Sequence, residues 1–159
     1  MQRRAKPLAE PTDGQAAELY AVTLLARRDF APGELAARLT ARGFAAATVQ
    51  RLIAALAAAG TLNPARYAQN YVTRHVARGQ GPLRIAAALR QRGVEPELIE
   101  QALAEHDWPQ LARTVAGRRF GAGEPVSWRE RAQRARFLQY RGFSADHIRL
   151  ATGADPSAD

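Results

Sequence analysis

Tyr67, Tyr71, Arg74 and Arg78 recur at i, i+4, i+7 and i+11, a spacing that gathers four side chains into one narrow stripe of an α-helix. Rings interleaved with guanidinium groups can stack on unpaired bases while pairing with phosphates. The competing placement turns the tyrosines into a core and lets the arginines snorkel at its edge, and for the rings that placement is favoured. Groups that could do covalent or acid–base chemistry are sparse. His75, His106 and His147 are scattered, without the i, i+4 histidine pair of a helix-borne zinc site. Ser127 and Ser144 stand at expected helix starts, where capping accounts for them, and Ser157 lies near the C-terminus. Glu95, Glu97, Glu100, Glu105 and Asp107 spread over a helix and its exit and read as solvated charge. Gly79-Gln80-Gly81 follows no strand and reads as a joint between helices, not a phosphate loop. The expectation is a binding protein that is not an enzyme and uses no metal and no cofactor.

Charge points the same way. The chain carries a formal net charge of +8, and from Leu35 to Val94 there is no Asp or Glu among nine arginines. So long a single-sign stretch repels itself unless a polyanion or an acidic protein lies against it. A GC-rich genome accounts for arginine in place of lysine but not for the missing carboxylates. Arg84 falls opposite the apolar face of its helix and should be exposed, and Arg66, Arg90, Arg118 and Arg119 extend the candidate basic surface. Arg92 joins it from a helix end. Trp108 and Trp128 head helices and read as packing anchors. There is no cysteine, no apolar run near the roughly 20 residues that span a bilayer, and no apolar stretch in Met1–Lys6 of the kind a signal peptide needs. A cytoplasmic monomer with no membrane contact is the simplest expectation.

These residues must be held by elements, and the elements repeat. Leu39, Leu89 and Leu138 each precede, by three residues, an Arg-Gly pair: Arg42-Gly43, Arg92-Gly93 and Arg141-Gly142. A hydrophobe follows each pair (Phe44, Val94, Phe143), and five residues later comes Val49, Ile99 or Ile148. A glycine that can turn left-handed closes one helix, and the hydrophobe beyond it seals the cap. The arginine before it faces the negative end of the helix dipole, mainly a structural role. Pro32, Pro82 and Pro96 suit first-turn positions, and Asn63-Pro64 reads as cap and first turn. A further helix precedes each pair, over about 13–28, about 64–78 and Trp108 to about Arg119. The spacing predicts an all-α fold, an elongated tandem array of three three-helix repeats over 12–60, 61–107 and 108–152, with flexible ends at 1–11 and 153–159.

The blocks LLARRDFAPGELAARLTARGF, NPARYAQNYVTRHVARGQGPLRIAAALRQRGV and RERAQRARFLQYRGFSADHIRLATG, in that order, resemble the RecX family of bacterial RecA regulators over about residues 17–152. The resemblance implies a non-enzymatic modulator whose partner is RecA, above all the RecA filament on single-stranded DNA. It implies restraint of the ATPase, strand-exchange and co-protease activities of that filament, with weak direct DNA binding. RYAQNYVTRHVARGQGPLRI matches the family's most characteristic region, which points to Arg66, Tyr67, Arg74, Arg78 and Arg84. The sequence departs from the family pattern at Ala31, where a helix-capping Ser or Thr is usual. The main rivals are a helix-turn-helix protein acting on duplex DNA and a non-specific single-strand binder acting without RecA. The helix after Gly43 is mostly alanine, valine and leucine and the one after Gly93 is acidic, so neither suits a major groove.

Overall fold

The computed structural model describes residues 10–154. Among them lie nine α-helices and no strand: α1 Gly14–Leu25, α2 Pro32–Arg42, α3 Ala46–Ala58, α4 Pro64–Ala77, α5 Pro82–Gln91, α6 Pro96–Ala104, α7 Trp108–Phe120, α8 Trp128–Arg141 and α9 Ala145–Thr152. The expected starts hold to the residue where a cap specifies them. Asn63, Ser127 and Ser144 each accept a hydrogen bond from the backbone N–H three residues on, at 3.0, 3.1 and 3.2 Å. The first helix stops at Leu25, short of the expected residue 28. Arg27 N–H closes a tight turn on Leu24 O at 3.0 Å, and Phe30, buried, draws the chain inward.

The repeated residues are core and caps. Leu39, Leu89, Leu138 and Ile148 are wholly buried, and Phe44, Val94, Phe143, Val49 and Ile99 nearly so. Gly43 and Gly142 sit at φ 106° and 95°. The hydrophobe after each donates to the carbonyl of the repeated leucine, Phe44 to Leu39 at 3.2 Å and Phe143 to Leu138 at 3.1 Å. Together with Gly43 N–H on Thr40 O and Gly142 N–H on Gln139 O, both at 3.0 Å, these are the paired bonds of a Schellman motif.

The chain folds into two compact units, residues 10–67 with 91–94 and residues 68–90 with 95–154. In the first, α1, α2 and α3 pack mutually around Ala17, Ala21, Leu35, Leu39, Phe44 and Leu52. The corner at Gln91–Val94 docks on the start of α2, where Gly33 N–H donates to Arg92 O at 2.8 Å. A Cβ at Gly33 would stand 2.7 Å from that oxygen, so only glycine admits the contact. Ala31 offers no side-chain acceptor for its cap. Glu34 supplies the reciprocal half, its carboxylate accepting from Ala31 N–H at 3.1 Å. In the second unit α7, α8 and α9 pack mutually, and the corner at Gly142 docks on the start of α5 through Gly81 N–H to Arg141 O and Leu83 N–H to Gly142 O, each 2.9 Å. The same joint thus occurs once in each unit.

Of the segments expected to be flexible, 1–9 and 155–159 lie outside the described residues. Pro11 is anchored, its carbonyl accepting from Ala45 N–H at 2.8 Å, and Ala154 N–H donates to the Thr152 hydroxyl at 3.2 Å.

Candidate functional site

The stripe on α4 divides by depth. Tyr67 and Tyr71 are 5% and 7% exposed, so their rings are not platforms for bases. Tyr71 stacks on His75 with centroids 3.9 Å apart, and His75 Nδ1 lies 2.8 Å from Gln80 Oε1. The rings take the core placement that helical phase favoured for them. One turn of phase carries both rings into the apolar interior, where each buries far more area than an arginine stem would. Arg74, further along the same helix, and Arg78, in the turn that follows its last residue, are exposed.

Two arginines of the acid-free stretch have carboxylate partners. Asp29, just upstream of that stretch, accepts from Arg66 Nε at 2.8 Å and from Nη2 at 2.7 Å. The bidentate bond from Arg66, reinforced by its charge, holds the Asp29 carboxyl below its ordinary range, against a smaller opposing effect of burial. Arg92 Nε lies 3.7 Å from Glu34 Oε1, and the same carboxylate group meets Arg28 Nη1 at 3.3 Å. Arg74, Arg78, Arg84 and Arg90 are exposed and form no ion pair with any described carboxylate.

The tryptophans part company. Trp108 is buried and its indole N–H donates to Leu103 O at 2.9 Å, as an anchor should. Trp128 is 76% exposed, which overturns its reading as an anchor. Helix α8 starts three residues further back from its repeated leucine than α2 and α5 do, and Trp128 stands at the outer end of that extension.

Arg118 and Arg119, at the end of α7, have company that linear spacing did not announce. A cavity of about 310 Å³ in the second unit is lined by both of them together with Arg78, Gly79, Val115, Phe137 and Arg141. Arg141 Nη1 donates to Arg78 O at 3.4 Å, and its guanidinium stands 5.4 Å from the Phe137 ring centre. Phe120 meets Phe137 edge-on, centroids 5.5 Å apart, and has Arg119 and Arg134 near its ring at 5.9 and 5.8 Å. One part was open to inspection: Arg134, Phe137 and Arg141 fall at i, i+3, i+7 on α8. Its approach to α7 was not.

A model of the second three-helix domain of RecX matches residues 64–103, and one of the third three-helix domain matches residues 106–152. The regulatory protein RecX of Halorhodospira halophila is 48% identical over 141 residues, 87% of this chain and 88% of that one. The chain belongs to the RecX family. The regulatory protein RecX of Chromohalobacter salexigens is 42% identical over 135 residues, covering 82% of this chain and 87% of that one. In three dimensions the fold is that of the crystal structure of RecX from Lactobacillus salivarius, with a TM-score of 0.73, 21% identity, and coverage of 87% of this chain and 94% of that one. All ten candidate residues fall inside the two matched RecX domains, eight in the second and Arg118 and Arg119 in the third. Among the described residues no group of three or more His, Cys, Asp or Glu could hold a metal ion, and no helix is long and apolar enough to cross a membrane.

Proposed function

We propose that this chain regulates RecA, binding the filament that RecA forms on single-stranded DNA and restraining its ATPase, recombinase and co-protease activities. It acts by contact, without catalysis of its own, as a cytoplasmic monomer. Family membership supports the regulatory role, since the relatives are regulatory proteins RecX. The observation that carries the surface is the set Arg74, Arg84 and Arg90, exposed on α4 and α5 and paired with no described carboxylate. Unpaired guanidinium groups keep their full attraction for phosphates and for acidic side chains of a partner.

The test is the DNA-dependent ATPase of the host's RecA, with the single strand saturated and salt held fixed. Inhibition is expected at protein levels far too low to coat the strand. It should weaken at least severalfold in a variant with Arg74, Arg84 and Arg90 changed to alanine. Arg66 is left in place because its loss would strand Asp29. Inhibition only when the protein can cover the strand would instead describe a DNA competitor, and no inhibition would reject the regulator reading.

A further inference from the structure

We infer that the arginine-lined cavity of the second unit is a single-strand phosphate site, with Phe120 as the platform for an adjoining base. The inference deepens the proposed function: it rests on the regulator reading for its biological setting, but not for its chemistry. Four guanidinium groups, from Arg78, Arg118, Arg119 and Arg141, line one hollow. None of them pairs with a described carboxylate.

Structural roles account for part of this gathering. Three helices end here: α4 at Ala77, α7 at Phe120 and α8 at Arg141. Each helix C-terminus carries about −0.5 charge, so the three together contribute about −1.5. Against +4 from the guanidiniums, that leaves about +2.5 uncompensated. The dipoles explain why the arginines can converge, and the excess is what an anion would neutralise.

Shape and aromatic content narrow the anion. The cavity is about 310 Å³ with Gly79 and Val115 in its wall, room for a phosphate group and part of a sugar. Gly79 sits at φ 74°, and a Cβ there would come 3.1 Å from Val115 Cγ2, so the wall is already closely packed. Phe120 does not line the cavity but meets one of its lining residues, Phe137, edge-on and remains 38% exposed, with Arg119 and Arg134 near its ring. A ring steadied in this way beside fixed cations is the pairing by which single strands are held without regard to sequence: phosphates in the basic groove, a base on the ring. An acidic protein segment would use the cations and leave the ring unexplained. A duplex keeps its base faces stacked and would do the same.

The full-length chain should be titrated against short fluorescein-labelled oligothymidylate, without RecA, by fluorescence anisotropy across a salt series. Single-strand contacts contribute about 0.7 each to the slope of log affinity against log salt. Changing Arg118 and Arg119 together to alanine should flatten that slope by about 1.4. Phe120→Leu, which keeps the apolar packing and removes the π-face, should lower affinity about tenfold with the slope unchanged. A charge-matched control, Arg38→Ala with Arg51→Ala in the first unit, should leave the slope as it is. If the control and the Arg118/Arg119 variant flatten the slope equally, affinity follows net charge and no such site exists. If the wild type binds no oligothymidylate, yet losing Arg118 and Arg119 relieves RecA inhibition, the hollow faces acidic protein and the strand assignment is overturned. Because the anisotropy contains no RecA, either failure is separable from failure of the regulator reading, which only the ATPase measurement decides.

Discussion

Asp29 and Arg66 show how a tertiary contact can engage an arginine that the sequence presents only as surplus positive charge. Their bidentate contact lowers the Asp29 pKa from an ordinary value of 3.8. A carboxyl whose folded pKa lies below its unfolded value adds stability above the unfolded pKa, and that contribution is lost as pH falls through the folded one. Arg66→Ala should therefore lower the urea midpoint at pH 7 and pH 5. Below about pH 4 the gap between variant and wild type should close. A gap that persisted undiminished at pH 2 would show that Arg66 acts through packing, not through Asp29. The sequence could count arginines, but it could not say that a carboxylate 37 residues upstream would claim this one. The two tyrosines carry the same lesson in reverse. Their helical phase was legible, but which face of α4 met the interior depended on neighbours from elsewhere in the chain.

At the scale of elements, the repeated Arg-Gly corner has two functions that its local sequence only half announces. Closing a helix follows from glycine and the hydrophobe after it, because both bonds of the motif are made within six residues. Serving as the docking surface for another helix start does not follow, since Gly33 and Gly81 lie 59 and 60 residues from Arg92 and Arg141, whose carbonyls they meet. Gly81→Ala places a Cβ against the backbone of Gly142 and Phe143, which cannot step aside as a flexible side chain can. It should cost about 1–3 kcal/mol in chemical denaturation. Gly14→Ala is the contrast, because nothing lies within 4 Å of a Cβ there. It should be neutral or stabilise by up to about 1 kcal/mol, through the smaller freedom of the unfolded chain. Equal costs at the two positions would refute the backbone joint as the reason for Gly81.

For the whole molecule, the formal charge of +8 is divided between arginines that hold the fold and arginines that face outward. Arg66 and Arg92 belong to the first group, through Asp29 and Glu34. Arg78, Arg118 and Arg119 at the cavity belong to the second, while Arg141, half-buried and bonded to Arg78 O, shares in both. Neutralising about four phosphates there gives a salt slope of about −2.8 on single strands. Affinity for oligothymidylate should then fall about 50-fold between 50 and 200 mM salt. A fall of only two- or threefold would mean that a single contact carries the binding. Such a steep salt response also sets the condition for the ATPase test, which compares variants only at one ionic strength.

What the sequence determined by itself was whatever is decided over a few residues. Helix starts followed from Asn63, Ser127 and Ser144, helix ends from Gly43 and Gly142, and the all-α class and the three repeated corners from apolar periodicity. Capping bonds and helical phase are local, so their energies are set by neighbours in the chain. Tertiary structure alone decided which cations remained unpaired, which tryptophan was buried, and that Phe120 would meet Phe137 beside four arginines. Those outcomes depend on groups 17 to 63 residues apart, brought together only when apolar faces are buried and the helices commit to their partners.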